Sequence, residues 1–304
     1  MLDAHLDPKP FAFAQPERFA GFFREQLPLV LLERYTYENH ENLRAKVKVA
    51  NYGKQALEGR LFWQLGALTG STAEIVSCPP GALTEVGEIV VSLEGFREPV
   101  KQVLSVSLGT AVNAYPIWIY PGEKVVRPEA VYETRVLDAA ARKQLMEGGI
   151  VYYSPDSTQE ALPNSIRGQF STDFWSVGTF GRQEGGMGQL IDSTHPIFQQ
   201  FPTEKHTNWQ WWPMAGQRAV ILPKPIPSII TEMDSYAFLR PMTQLFECRV
   251  GKGRLLYSTL GLQQLQQYPE ARALSRGIYR YLVSDQFVPT QEMTWEELTR
   301  IGQK

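Results

Sequence analysis

Four of the seven tryptophans fall between Trp175 and Trp212, and Trp209, Trp211 and Trp212 stand in one short tract. An indole is either a large buried anchor or a flat surface on which a sugar ring can stack. Polar neighbours would then bind the hydroxyl groups, and Glu204, Asn208 and Gln210 lie in the same tract. The candidate sugar contacts are therefore Trp209, Trp211, Asn208, Gln210, Glu204 and Trp175. The alternative is that all the indoles are core or interface anchors, the commoner fate of tryptophan.

The tract runs from His195 to Trp212 and also holds Phe198, Phe201 and two of the four histidines. Proline and polar residues break it too often for a strand or a long helix. Pro213 disfavours helical backbone at Trp212 and favours an extended one. In extended chain, neighbouring side chains point to opposite sides. Trp212 is then expected to face the core beside the apolar run Ala219 to Leu222, with Trp209 or Trp211 nearer solvent.

Other chemistries fit less well. His195 and His206, with Asp192 and Glu204, have no spacing known for a metal site, so no metal is expected. Glycines 178, 181, 185, 186 and 188 do not follow a buried strand and open a helix, as a phosphate cradle requires, and read as a mobile loop. No Gly-x-Ser-x-Gly elbow is present. No cofactor is expected.

The elements that would position the tract read as two domains. Hydrophobic residues at 43%, charged residues at 20% and a net charge of −2 describe an ordinary globular chain. That balance argues against nucleic acid or an anionic membrane as partner. No apolar run is long enough to span a membrane, and the first residues lack the features of a secretory signal. The two cysteines, Cys78 and Cys248, are far apart, so a disulfide framework is not expected and a cytoplasmic setting is.

Residues 1–26 read as a lead-in with a short helix opening at Pro16, its face made by Phe19, Phe22 and Phe23. Residues 27–122 read as an immunoglobulin-like β-sandwich, with about seven short strands. Leu43, Ala45, Val47 and Val49 alternate there with Arg44, Lys46 and Lys48. Residues 123–304 read as an α/β domain with a mixed sheet. Asp138 caps a helix that Gly148 and Gly149 end, and Ile150 to Tyr153 is an unalternated buried strand. Strands follow at 189–192, 218–222, 228–233, 242–250 and 254–260, with 154–188 irregular. Pro269 to Ser284 is an amphipathic helix, and Thr294 with Glu297 forms a capping box.

Three stretches of the second domain resemble class I glutamine amidotransferase-like domains of flavodoxin-like architecture. They are Gly148 to Tyr153, the turn His195-Pro196-Ile197-Phe198 with Phe201-Pro202, and the hairpin Gly251-Lys252-Gly253 continuing to Gly261. The nucleophile position of that family is not matched, because Ser154-Pro155-Asp156 follows the strand where a Gly-x-Cys-x-Gly would stand.

Nearly the whole chain also resembles the C-terminal region of bacterial proteins of glycoside hydrolase family 2, β-galactosidase-like or sugar-binding. The matching tracts are Pro16 to Phe19, Lys46 to Gly53, Phe201 to Trp212 and Ser284 to Pro289. The resemblance implies a non-catalytic accessory portion serving as spacer, packing, oligomerisation or weak sugar-contacting module. Its partner would be a catalytic barrel of the same or a neighbouring polypeptide, with carbohydrate and homo-oligomer formation as further expectations. A family 2 active site needs two glutamates on barrel strands, and no residue here corresponds to them. The alternatives are a stand-alone carbohydrate-binding or assembly protein, or a hydrolase using the α/β domain itself.

Overall fold

The computed structural model describes residues 4–7, 21–170 and 185–303. The chain divides into two compact units, Met1–Pro121 and Gly122–Lys304. The protein is mainly β, with several sheets, one of them mixed, and few helices. Among the described residues no helix is long and apolar enough to cross a membrane. The helix expected at Pro16 lies outside the described residues.

The first unit contains β1 (Gln26–Leu31), β2 (Thr36–Glu38), β3 (Asn42–Asn51), β4 (Leu57–Gly59), β5 (Leu61–Leu65), β6 (Leu68–Ser71), β7 (Val76–Cys78), β8 (Ala82–Ser92), β9 (Val100–Leu108) and β10 (Ala111–Tyr120). One sheet has the order β1-β3-β8, a second β2-β10-β9-β5-β6, and β4 pairs with β7. Period-two alternation explains the burial: Leu43, Ala45, Val47 and Val49 of β3 face inward while Arg44 and Lys46 face water. Leu61, Leu65, Leu104, Val106 and Ile117 of the second sheet join them in one core. Cys78 sits in that core as a free thiol. Asn51 is wholly buried yet satisfied: its amide donates to the carbonyls of Gln55 and Cys78, and its oxygen accepts from Gly53 N–H and Gln26.

The second unit contains β11 (Val131–Thr134), α1 (Ala139–Met146), β12 (Ile150–Tyr153), β13 (Ser165–Arg167), β14 (Gln189–Ile191), α2 (Trp212–Ala215), β15 (Arg218–Ile221), β16 (Ile230–Glu232), β17 (Met242–Val250), β18 (Gly253–Ser258), α3 (Pro269–Leu282) and α4 (Trp295–Arg300). The path of its sheet is β11-β12-β18-β17-β15-β13, and the β14–β16 pair joins at β17. β11, β12 and β18 run parallel, and the remaining pairs are antiparallel.

Asp138 caps α1 by accepting from Ala141 N–H, and Gly148, at φ +93°, turns the chain back into β12. β12 is covered on both faces, which its apolar composition requires. One face of the sheet carries Val151, Phe246, Cys248 and Leu255, packed with Leu145 of α1 and Leu298 of α4. On the other, Tyr152 meets Tyr279 of α3 edge-on at 6.0 Å. α4 opens on the expected Thr294–Glu297 capping box.

Two readings of local structure change. The run 29–37, which reads from sequence as a single first strand, is two strands, β1 and β2, because the chain leaves the first sheet at Leu32 and enters the second at Thr36. Among its described residues the stretch 154–188 holds one strand, β13, which pairs with β15 over three residues, too few to show a period.

Candidate functional site

The aromatic tract is built from two short turns. His195 caps the first, Pro196–Phe198, with its Nδ1 accepting from Ile197 N–H at 3.3 Å. The fixed φ of Pro196 suits the start of such a turn, where its missing N–H costs nothing. Ile197, Phe198 and Phe201 are buried. The turn docks on α3 at Gly277, where a Cβ would stand 3.0 Å from the Ile197 carbonyl oxygen.

The second turn, Trp209–Trp211, is capped by Asn208, whose Oδ1 accepts from Gln210 N–H at 3.1 Å. Asn208 Nδ2 donates in turn to the Glu204 carboxylate. Gln210 donates to the Pro202 carbonyl at 2.9 Å, and the Trp211 indole N–H to Thr203 Oγ1 at 2.9 Å. These bonds bind residues 202–211 into one knot before any ligand is considered.

The turn decides which indole faces solvent. Trp212 has φ −46° and ψ −51°, a helical conformation, and its N–H bonds to the Trp209 carbonyl. In such a turn residues three apart share a face. Trp209 and Trp212 are therefore neighbours, ring centroids 6.0 Å apart, with 43% and 61% of their surfaces exposed. Trp211 points inward and is wholly buried, with Phe201 and Phe198 edge-on at 5.2 and 6.1 Å.

This corrects the expectation that Trp212 is the inward member of the pair. Pro213 tolerates a helical predecessor here because it occupies the first turn of α2, where no N–H is needed, and burial of Trp211 favours the turn. Trp211 and Gln210, both wholly buried, are thereby removed from the sugar-contact candidates. Asn208 and Glu204 remain beside the exposed pair as its supports. Trp175 lies outside the described residues, as do glycines 178 and 181.

A residue not singled out in the sequence completes the face. Phe170 stacks on Trp209 at 5.0 Å and 27° and meets Trp212 at 5.1 Å and 66°. Its neighbour Gly168 lets the chain pass over α2: a Cβ there would stand 2.3 Å from the Ala215 carbonyl oxygen.

Behind this face lies a buried polar row. The Gln217 carbonyl accepts from Gln244 Nε2, and Gln244 Oε1 accepts from Gln189 Nε2. Glu232, directly opposite Gln189 in the β14–β16 pair, is 1% exposed. Burial pushes its carboxyl up to about 8; the backbone N–H groups of Gly188 and Gln169 oppose this, but approach too loosely to make hydrogen bonds. Gly185 and Gly186 are the cover: a Cβ on Gly186 would overlap the Glu232 carboxylate, and one on Gly185 the Gln169 amide. These glycines serve close approach. Glu232 was hidden from sequence reading because alternation separates two faces without saying which is wet, and both faces of this sheet are covered.

The histidines do not converge. His195 Nε2 stands 3.8 Å from Glu247 Oε2, and the Tyr281 hydroxyl donates to the same oxygen at 2.7 Å. Burial lowers the His195 pKa and raises that of Glu247, so both charged forms are disfavoured. His206 lies elsewhere, its Nδ1 3.1 Å from the Thr207 carbonyl oxygen. Ser154 and Ser258 are wholly buried at the carboxyl ends of β12 and β18. Cys248 is buried, and its thiol is pushed up to about 12, far from a reactive thiolate.

Residues 132–303 match the family described as a domain of unknown function, DUF8487. The chain belongs to the DUF8487 family. The match covers the mixed-sheet unit, including Phe170, the aromatic tract and the polar row. Residues 41–121 match a second domain of unknown function, DUF8488. No curated protein matches the chain by sequence.

Among solved structures, a β-glucosidase from Listeria innocua is similar over 32% of this chain and 16% of its own, with TM-score 0.26 and 14% identity. A cycloisomaltooligosaccharide glucanotransferase from Paenibacillus sp. is similar over 41% and 19%, with TM-score 0.26 and 11% identity. An alkylpurine DNA glycosylase from Pseudomonas fluorescens is similar over 31% and 30%, with TM-score 0.26 and 9% identity. The DUF8487 chain thus spans a small part of the glycoside hydrolases it partly resembles.

Proposed function

We propose that this chain is a non-catalytic accessory portion of a carbohydrate-active protein, contacting sugar rings through Phe170, Trp209 and Trp212. The carrying observation is the exposed Trp212 indole, held at 5.1 Å from Phe170 on a turn whose other side is anchored in the core. A flat, exposed, pre-positioned indole loses little freedom when a pyranose stacks on it, so binding costs less. The family 2 resemblance includes this same tract, Phe201 to Trp212.

In this reading the first unit is an immunoglobulin-like spacer and the second an amidotransferase-like domain that has lost its nucleophile. A catalytic barrel in the same or a neighbouring polypeptide supplies the acid and nucleophile. Cytoplasmic location and homo-oligomer formation belong to the same proposal.

Affinity electrophoresis in gels containing soluble β-linked polysaccharides tests it. The wild-type chain should be retarded and Trp212→Ala should migrate as in a polysaccharide-free gel. Equal migration of the two proteins in every gel, with both folded, contradicts the sugar contact.

A further inference from the structure

We propose that Gln169, Gln189 and Glu232 form a binding site for a monovalent cation, Na+ or K+, with their buried side-chain oxygens as ligands. The four oxygens, Gln169 Oε1, Gln189 Oε1 and both of Glu232, are buried and have no hydrogen-bond partner. All four are acceptors. Such a cluster needs either a shared proton or a positive centre, since a buried unpaired acceptor costs free energy.

The amide orientations follow from the network. Only an N–H can face the Gln217 carbonyl, which turns Gln244 Oε1 toward Gln189. Gln189 must then present its Nε2 to Gln244 and its oxygen away from it. Gln189 and Glu232 are cross-strand partners, so their side chains leave one face of the β14–β16 pair side by side. Gln169 and Glu232 meet adjacent glycines, the Gln169 amide lying against Gly185 and the Glu232 carboxylate against Gly186. The glycines make room for the carboxyl and amide groups themselves.

Charge selects the class of ion. Among the described residues no cationic side chain acts on Glu232. The neighbouring Asp234 has its charge taken up by Arg240, in bonds of 2.8 and 3.1 Å. One monovalent cation neutralises the single remaining carboxylate, whereas a divalent ion would leave an uncompensated charge in a dry site. A carboxylate with amide oxygens is a hard donor set, which suits alkali cations and lacks the nitrogen or sulfur that zinc and copper favour. The site would form whether or not the aromatic face contacts sugar.

Thermal unfolding at constant ionic strength tests the site, with choline chloride replaced stepwise by NaCl or KCl. The wild-type chain should show a saturable rise in Tm of roughly 3–6 °C with one of the alkali ions. Glu232→Gln, which keeps the shape and removes the charge, should lose that rise. Gln189→Met, a second variant of similar volume, should reduce it. Identical wild-type melts in choline, Na+ and K+ would overturn the site in favour of a proton shared within the cluster. So would a response to Ca2+ alone, or a full alkali-ion response retained in both variants.

Discussion

Trp209 and Trp212 lie three residues apart on one turn with their rings 6.0 Å apart at 40°, while Trp211 between them points into the core. Adjacent tryptophans are thereby divided into two chemical roles by backbone conformation alone. The outer pair depends on the inner residue for its position.

The division predicts opposite phenotypes for neighbouring substitutions. Trp211→Ala removes a wholly buried ring and its bond to Thr203, and should cost about 3–5 kcal/mol of stability. Trp212→Ala removes an exposed ring and should cost below about 1 kcal/mol. Urea melts of both variants, read by circular dichroism, check the contrast. Equal losses would mean that the turn does not separate the two rings as described.

Asn208 supports the exposed face from its edge. Asn208→Ala deletes the cap on Gln210 N–H and the bond to Glu204, and should cost about 1 kcal/mol. Asn208→Ser or Asn208→Asp should restore much of the cap. The same denaturation series reads both.

Glu232 makes a pH prediction. Its unfolded carboxyl releases a proton near 4.5, while the folded one holds it to about 8. Between those values the folded state binds more protons, so stability falls as pH rises. In alkali-free choline buffer the slope should approach roughly 1.4 kcal/mol per pH unit within that window. Glu232→Gln should flatten it. Asp234 acts in the opposite sense: burial alone would raise its pKa, but the Arg240 bonds outweigh burial and lower it, so its contribution is lost only in acid. Unfolding series across this range, for wild type and variant, check the sign.

Gly186 and Glu232 should be coupled. Gly186→Ala places a methyl group where the carboxylate lies and should destabilise by about 1–3 kcal/mol. In a Glu232→Ala background the space is vacated and the Gly186→Ala cost should largely vanish. A double-mutant cycle measures this, and strict additivity would show the two are not in contact.

Much of the architecture was legible because period and capping are local. Alternation in β3, the Asp138 cap, the Thr294–Glu297 box and the buried run of β12 each announce themselves within a few residues. The orientation at Trp212 was not legible. Pro213 gives a local preference for extended chain, and burial of Trp211 outweighs it. Phe170 was out of reach for another reason, since it meets the tract from about forty residues away through Gly168 packing on α2. Gln189 and Glu232 stand on two short strands whose wet and dry sides the sequence does not distinguish, and the cover on both faces of the sheet makes the pair dry.

The sugar-contact proposal is tested most directly by the indole N–H signals of the seven tryptophans, followed by nitrogen–proton NMR during titration with an oligosaccharide that retards the wild-type chain. The indoles of Trp209 and Trp212 should shift progressively and saturate together, while that of Trp211, bonded to Thr203 in the core, stays in place. Shifts confined to tryptophans of the first unit, or saturation with Trp209 and Trp212 unmoved, would contradict it.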